Sequence, residues 1–307
     1  MEVVKLRPVI KSYIWGGSYF QKFGKGNEET ISELWELSVR GENSSIIASG
    51  KDKNKRLDEI LTKEDIGPVA SSFSFFPILI KLIDAKDNLS IQVHPSDDYA
   101  LKNENSFGKT EMWHILASEP GSGLYVGLNR DYSKEEIKEK LANNDLLSAL
   151  NFFEVKAGET YFIPAGTIHA IGKGTVIIEI QQNSDLTYRL YDYQRKDKNG
   201  NYRQLHLEKG LEVINLKKYE KTQSNPNILA KSKYFTVEKK KIEKELVVSA
   251  NKDSFISFTF VSGKGKVNDI PYQIYDTFFV PFGKEARIEG DGEIIMSYVE
   301  KEEILWN

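Results

Sequence analysis

The chain has 307 residues, 40% of them hydrophobic and 28% charged, and its 45 acidic and 42 basic side chains give a net charge of −3. This length allows one large domain or two ordinary ones, and the charge leaves no basic footprint for nucleic acid. There is no cysteine and no long apolar run, which excludes disulfides, thiolate metal sites and a spanning helix. The N-terminal residues lack a signal-peptide pattern, so we expect a cytoplasmic protein.

Helical patterns are few. Residues 54–67, NKRLDEILTKEDIG, predict one short helix. Residues 133–153 predict a longer helix, which Ser133 would cap because Glu136 stands at the spacing of a capping box. The apolar stripe of this helix would consist of Ile137, Leu141 and Leu146.

The rest of the chain consists of short β-type runs broken by Gly, Pro, Asn and Asp. In the first two thirds these runs are FPILIKLIDA, LSIQVHP, EMWHILAS, SGLYVGL, ETYFIPAG and TVIIEIQQ. In the last third they are YFTVEKKKIE, SFISFTFVSG, GKVNDIPY, DTFFVPFG and EIIMSYVE. Many short strands separated by turn signals predict an all-β sandwich or barrel.

Two of these regions are related by an internal echo. ETYFIPAGTIHAIGKGTVIIEI, which starts at Glu159, aligns without a gap with DTFFVPFGKEARIEGDGEIIMS, which starts at Asp276. Both contain a strand, a Pro-x-Gly corner and a second strand, and Pro and Gly are the residues that a tight corner favours. The echo predicts two related β domains, with a boundary in the polar stretch 217–233.

The two copies differ in their polar residues. His169 aligns with Ala286, and Glu179 aligns with Met296. The second copy keeps the corner without a histidine, so His169 is not needed to build it. The comparison favours a chemical role for His169 in the first copy only.

Candidate partners of His169 lie in the neighbouring strands. Gln92 and His94 are two residues apart, so on a strand they point to the same face. Glu111 and Glu179 are polar residues within apolar strands, where burial is costly unless the group is paired or used. Two histidines, a glutamate and a glutamine suit a zinc-like ion. From spacing alone, a metal site and a set of hydrogen-bonded core groups both remain open.

Four segments together carry a family resemblance: LIKLIDAKDNLSIQVHP, GKTEMWH, PAGTIHA and IEIQQNSDLTYRLYDY. In this order they resemble the type I mannose-6-phosphate isomerases, in their short bacterial form, which belong to the cupin superfamily. SYIWGG and ISELWELS also resemble segments of that family. The resemblance implies a mainly β fold of two cupin-type β-jelly-roll domains with short helical insertions.

Residues 1–220 would then be a catalytic metal-binding cupin domain. Residues 221–307 would be a degenerate, metal-free jelly roll that closes one side of the fold or mediates self-association. The resemblance implies one zinc ion per chain, with Gln92 as the weaker ligand, replaceable by water. The implied zinc ligands are His94, Glu111, His169 and Gln92. The implied catalytic residues are Arg189, Glu179 and Lys109, and the implied substrate-binding residues are Ser90, Lys81 and Arg195.

The implied reaction interconverts D-mannose 6-phosphate and D-fructose 6-phosphate through an enediol(ate). Zinc would polarise the substrate oxygens, and Arg189 would hold the developing negative charge. The general base is either Glu179 or a zinc-bound water, and the phosphate partner is Lys81, Lys109 or Arg195. We expect a sugar-phosphate substrate, a monomer or homodimer, and no nucleic-acid or membrane partner.

Three departures from the family pattern stand out. Ile171 occupies a position where the larger relatives carry Tyr, Arg195 stands where the family has Lys, and the long helical domain of those relatives is absent. The main alternative function is a non-catalytic, metal-containing cupin that binds sugar phosphates as a sensor. An iron-dependent cupin oxygenase is a weaker alternative, because the histidine-rich motifs are missing.

Other residues have ordinary structural interpretations. We expect His114 to face away from Glu111 and to be structural. His206 would be a surface or packing residue. Trp15 and Trp35 fit either the core or the wall of a sugar pocket.

Overall fold

The computed structural model describes residues 1–197, 199–221, 225 and 227–301, and it is mainly β, as predicted. The strands are β1 Val4–Arg7, β2 Val9–Lys11, β3 Glu33–Leu37, β4 Ile46–Ile47, β5 Ile78–Ala85, β6 Ile91–Val93, β7 Glu111–Ser118, β8 Gly123–Leu128, β9 Leu150–Glu154, β10 Thr160–Ile163, β11 His169–Ile171, β12 Thr175–Gln182, β13 Tyr188–Tyr191, β14 Ile228–Lys231, β15 Thr236–Ser249, β16 Ile256–Val267, β17 Ile270–Tyr272, β18 Thr277–Val280 and β19 Glu285–Tyr298. The α-helices are α1 Leu57–Ile60, α2 Lys63–Ile66, α3 Asp97–Asn103, α4 Lys134–Ala142 and α5 Leu207–Val213.

The strands form three sheets in the described part of the chain. Their orders are β13-β6-β11-β8-β9, β10-β7-β12-β5-β3-β2, and β14-β15-β19-β16-β18-β1-β4 with β17 on β16. No helix among the described residues is both long and apolar enough to cross a bilayer.

The contacts divide the chain into two compact units. Unit 1 consists of residues 1–10, 34–81 and 224–307, and unit 2 of residues 11–33 and 82–223. The N-terminal strand belongs to unit 1 because β1 pairs with β18 as well as with β4. The predicted boundary, 217–233, includes residues 222–224 and 226, which lie outside the described residues. The assignment of separate roles to 1–220 and 221–307 stays a prediction.

Each unit has its own apolar core. In unit 1 the core contains stacked aromatic rings, with the Phe258 and Phe278 centroids 5.6 Å apart. In unit 2 one cluster surrounds Trp113 and Tyr161, and a second surrounds Tyr188. Burial of such large side chains stabilises each unit by roughly 1.5–3 kcal/mol per residue.

The predicted capping box is confirmed. The Ser133 hydroxyl accepts a hydrogen bond from the Glu136 N–H at 3.1 Å, and the Glu136 carboxylate accepts one from the Ser133 N–H at 2.7 Å. The predicted extent of this helix is wrong, because α4 ends at Ala142. Asn144 has a left-handed backbone with φ 54°, which stops the helix. Leu146 lies instead in a 3-10 turn before β9.

The single helix predicted over 54–67 is also wrong. The segment forms two separate short helices, α1 and α2, because Leu61 between them is extended. Thr62 then caps α2, with its hydroxyl 3.4 Å from the Asp65 nitrogen. The capping interaction starts a new helix where the first one ends.

The echo corresponds to a repeated three-strand arrangement. β10, β7 and β12 are adjacent in one sheet, and β18, β16 and β19 are adjacent in another. The corner glycines Gly166 and Gly283 have φ 86° and 77°, a left-handed conformation that favours glycine. The Pro-x-Gly corner is therefore a structural device common to both copies.

The strand register extends the comparison to a third strand. Glu111 of β7 lies opposite Ile163, and Ile256 of β16 lies opposite Val280, the residue that the echo aligns with Ile163. Ile256 therefore takes the place of Glu111 in the second copy. Ala286, the counterpart of His169, is fully buried in the apolar core of unit 1. Two of the predicted metal ligands thus have apolar counterparts.

Candidate active site

Three of the predicted metal ligands come together in unit 2. His94 follows β6, Glu111 begins β7 and His169 begins β11, and all three are buried. One donor atom from each lies within 4.8 Å of the others. The His169 Nε2 atom is 3.1 Å from one Glu111 carboxylate oxygen, and the His94 Nε2 atom is 3.7 Å from the other.

The fourth predicted ligand, Gln92, lies beside this group. Gln92 pairs directly with His169 between β6 and β11, so both side chains lie on one face of the sheet. Its amide nitrogen is 3.3 Å from the His169 Nε2 atom. Because an amide can turn over to present either its nitrogen or its oxygen, Gln92 can offer a neutral oxygen ligand here.

Backbone carbonyls fix the tautomers of both histidines. The His94 Nδ1 atom is 2.8 Å from the Leu186 oxygen, and the His169 Nδ1 atom is 2.9 Å from the Thr167 oxygen. Each Nδ1 therefore carries a proton and each Nε2 carries the lone pair, which for His94 faces the Lys109 ammonium at 3.1 Å. Burial, and then the positive charge of Lys109, lower the pKa of His169 to about 3. Its imidazole is thus neutral and able to bind a metal at pH 7.

Lys109 and Glu179 lie next to the His94–Glu111–His169 group. The Lys109 ammonium is 2.6 Å from Glu111, 3.1 Å from the His94 Nε2 atom and 3.8 Å from Glu179. Glu179 lies opposite Trp113 across β12 and β7, and the Trp113 indole N–H donates to its carboxylate at 2.8 Å. The two charged groups are buried together beside the candidate metal ligands.

Arg189 extends from β13 on the same side of the sheet. It pairs directly with Gln92 of β6, so their side chains lie on the same face. Its Nε donates to the Ser90 hydroxyl at 3.3 Å, and its Nη1 donates to the Gln204 carbonyl at 2.9 Å. Burial, followed by the charge of Arg203, lowers the pKa of Arg189. The predicted residues Arg189 and Ser90 are therefore neighbours of the ligand group.

Arg195 is held by Asp192, which sequence patterns did not single out. Its Nη2 is 2.6 Å from the Asp192 carboxylate, and its guanidinium lies 5.1 Å from the Tyr193 ring centroid. Arg203 binds the same carboxylate, with its Nε 2.7 Å away. Sequence patterns missed Arg203 because it stands in a polar loop with no motif around it.

Lys81 lies in unit 1, at the end of that unit's part of β5. It is buried, and its ammonium is 5.4 Å from the Trp35 ring centroid. Trp35 and Trp15 are both buried, and Trp15 belongs to the apolar core of unit 2.

The structure gives definite places to the other residues singled out in the sequence. His114 is hydrogen-bonded to the Thr160 hydroxyl at 2.8 Å, which fits a structural histidine. Ile171 is buried in the core of unit 2. His206 is more than a packing residue, because it is hydrogen-bonded twice to the backbone of Arg189. Its ring Nδ1 accepts from the backbone N–H of Arg189 at 3.2 Å, and its backbone N–H donates to the Arg189 carbonyl at 2.8 Å. The sequence around it gave no signal of this pairing.

Comparison with known proteins identifies the family. A family model for the catalytic domain of type I phosphomannose isomerase matches residues 3–120. The mannose-6-phosphate isomerase of Streptococcus mutans is 34% identical over 313 residues, which cover 97% of this chain and 98% of that protein. This chain belongs to the type I phosphomannose isomerases.

A second family member, the mannose-6-phosphate isomerase of Bacillus subtilis, is 33% identical over 97% of this chain and 99% of its own length. The crystal structure of a mannose 6-phosphate isomerase from the same organism aligns with a TM-score of 0.86 and 33% identity, over 97% of this chain and 100% of that chain. The family resemblance and the fold class expected from the sequence motifs are confirmed. The His94–Glu111–His169 group is therefore a candidate metal site in a phosphomannose isomerase chain.

Proposed function

We propose that this protein interconverts D-mannose 6-phosphate and D-fructose 6-phosphate as a zinc-dependent aldose–ketose isomerase. The observation that carries the proposal is the buried His94–Glu111–His169 group, whose donor atoms converge within 4.8 Å. Family membership supports the substrate, since the relatives bear the name mannose-6-phosphate isomerase.

The donor set fits a zinc ion. Two neutral imidazole nitrogens and one carboxylate are typical ligands of catalytic zinc, and the amide of Gln92 is a further, weaker donor. The hydrogen bonds from His94 and His169 to backbone carbonyls hold the tautomer that metal binding requires. When bound, zinc would supply a Lewis acid that polarises the oxygens of the substrate.

Arg189 would stabilise negative charge on the substrate. The isomerisation moves a proton between C2 and C1, and the enediolate that forms carries its charge on oxygen. Bonds to Ser90 and Gln204 fix the guanidinium before the substrate arrives. A preorganised donor of this kind is worth about 10²–10³ in kcat.

Glu179 is the carboxylate that we assign to proton transfer. The Trp113 N–H donates to its carboxylate and the Lys109 ammonium lies 3.8 Å away, so the carboxylate is held beside the candidate ligands, where it can take part in proton transfer. Lys109 would serve the substrate oxygens at the same end of the site. Ser90, Lys81 and Arg195 are proposed to bind the remainder of the substrate.

A matched pair of histidine variants tests the metal site. His169→Ala should lose the bound zinc, expected at one ion per chain, together with turnover in an assay coupled to fructose 6-phosphate. His114→Asn keeps a partner for Thr160 and should retain both zinc and turnover. Zinc content and full activity in His169→Ala would refute the proposal.

A second variant separates chemistry from metal binding. Arg189→Ala should keep its zinc and lose kcat by about 10²–10³. If the wild-type protein binds mannose 6-phosphate but shows no turnover, the sensor function replaces the isomerase. A cytoplasmic location, the oligomeric state and the role of residues 221–307 stay predictions.

A further inference from the structure

The far end of the candidate site carries an excess of positive charge. Three guanidinium groups, those of Arg189, Arg195 and Arg203, gather near one buried carboxylate, Asp192. The only other carboxylate paired with them in the part of the chain that the structure describes is Asp87, 3.6 Å from Arg195 and about half exposed. One buried acid thus lies among three bases, two of which, Arg195 and Arg203, bind it directly.

The position of this arginine cluster can be described relative to β6 and the residues on either side of it. Along the extended segment before and through β6, Ser90, Gln92 and His94 alternate onto one face. Arg189 binds Ser90, and Arg195 donates to the backbone oxygen of Asn88, two residues further from the ligands. The order along the site is therefore metal ligands, then Arg189, then Arg195 with Arg203.

An open-chain sugar phosphate has the same order. Its reacting carbons, C1 and C2, are at one end, and its phosphate is at the other. Lys109 lies against Glu111 and His94, so it is committed to the reacting end. The double negative charge of the phosphate needs cations at the opposite end, where two forked guanidinium groups match its geometry.

We propose that Arg203 and Arg195, linked through Asp192, form the pocket that binds the phosphate group of the substrate, with Arg203 as a specificity-determining residue. The inference rests on the proposed function and deepens it. Asp192 acts as a positioning residue, because it holds both guanidinium groups by one edge each. Arg203 uses its Nε and Nη2 on Asp192, so the N–H groups of its Nη1 remain available to an anion. Arg195 also uses its Nη1 on the Asn88 oxygen and beside Asp87, so it adds mainly its positive charge to the pocket.

The backbone beside Arg195 supports a functional role. Tyr193 and Gln194 have φ 54° and 53°, two consecutive non-glycine residues in the left-handed region. Such strain costs on the order of 1–3 kcal/mol per residue and clusters at ligand-binding sites. The Tyr193 hydroxyl is buried and makes no hydrogen bond to the described residues. This corner is better explained by ligand binding than by stability.

Three arginine variants test the proposal. Arg203→Ala should raise the Kd for mannose 6-phosphate, measured by calorimetry, by about 10- to 100-fold. The inhibition constant of inorganic phosphate should rise by a similar factor. Arg203→Lys keeps the positive charge but lacks the forked guanidinium group. Both constants should therefore lie between those of the wild type and those of Arg203→Ala. Arg130→Ala removes a surface ion pair with Glu136 and should change neither constant.

The bound zinc of Arg203→Ala should match the wild type. Arg203→Lys, which keeps a positive charge beside Asp192, should also keep the thermal unfolding temperature, which separates ligand binding from a structural role. The inference is overturned if either constant of Arg203→Ala stays within about twofold of the wild type. In that case normal turnover would leave the proposed function intact. Conversely, Arg203-dependent binding without any turnover would support the phosphate pocket and refute the isomerase.

Discussion

The two corner glycines offer a matched test of what surrounds the candidate site. Gly166 and Gly283 occupy equivalent positions and have similar backbone angles, φ 86° and 77°. A Cβ atom on Gly166 would lie 3.0 Å from the Val213 oxygen and 3.4 Å from the Asn215 nitrogen. A Cβ atom on Gly283 would meet no described atom within 4 Å. Alanine at the two positions therefore differs mainly in its neighbours.

The structure sets the size of the two effects. A left-handed alanine costs about 1–2 kcal/mol, and roughly 0.4–1 kcal/mol is recovered because alanine restricts the unfolded chain. We expect Gly283→Ala to lower the free energy of unfolding by about 1 kcal/mol. Gly166→Ala must also displace the Val213 carbonyl, which adds about 1 kcal/mol.

Only the Gly166 variant should affect function. The Gly166 N–H donates to the His94 carbonyl at 2.8 Å, and the Gly166 carbonyl accepts from the Asn215 N–H at 2.8 Å. Displacement at Gly166 therefore reaches His94, a proposed metal ligand, and loss of such support costs about 10- to 100-fold in metal affinity or activity. Gly283 donates instead to Ala250, which belongs to the core of unit 1.

Urea unfolding gives the free energies, and zinc titration with the coupled isomerase assay gives the functional readout. Gly283→Ala should retain wild-type zinc affinity and kcat/KM. Equal destabilisation of the two variants, or a loss of activity in Gly283→Ala as large as in Gly166→Ala, would refute the reasoning from the repeated corner.

Three further predictions concern single contacts. Trp113→Phe removes the indole donor that holds the Glu179 carboxylate, so kcat should fall in the coupled assay while the zinc content stays at the wild-type level. Burial, and then the charge of Arg189, lower the pKa of His206. The unfolded chain therefore takes up a proton first as pH falls below about 6.5, so the free energy of unfolding should decrease there, and His206→Gln should flatten this slope in urea titrations. Ser133→Ala removes the capping box of α4 and should cost about 1 kcal/mol in the same titrations, with kcat unchanged.

Local sequence patterns predicted much of the fold. Short apolar runs did not predict β1–β4, β9, β11, β13 or β14. They predicted β5–β8, β10, β12 and β15–β19, because each of these runs is a local feature of the sequence. The capping box at Ser133 was predicted for the same reason: it depends on residues three apart. The end of that helix was not predicted, since it depends on the left-handed conformation of Asn144. The pairing of β1 with β18 joins residues more than 270 positions apart, and no local signal carries it.

The difference between local patterns and long-range contacts also applies to the candidate site. His94, Glu111 and His169 stand in motifs, and the structure brings them together. Arg203 and His206 belong to the loop between β13 and α5. Arg203 contacts Asp192, and His206 contacts Arg189. A polar loop residue has no pattern that reveals such a partner, so only the folded chain identifies it.

The two copies of the corner separate the requirements of folding from those of chemistry. Where the first copy buries Glu111 and His169, the second buries Ile256 and Ala286 in an apolar core. An apolar pair is the easier choice for stability, because buried polar groups are costly unless they are paired. A single apolar substitution in the first copy would be destabilising. Replacing Glu111 alone would leave the buried Lys109 ammonium without its carboxylate partner at 2.6 Å. The polar groups of unit 2 thus form one interdependent set, whose burial makes physical sense if the set binds a metal and its substrate.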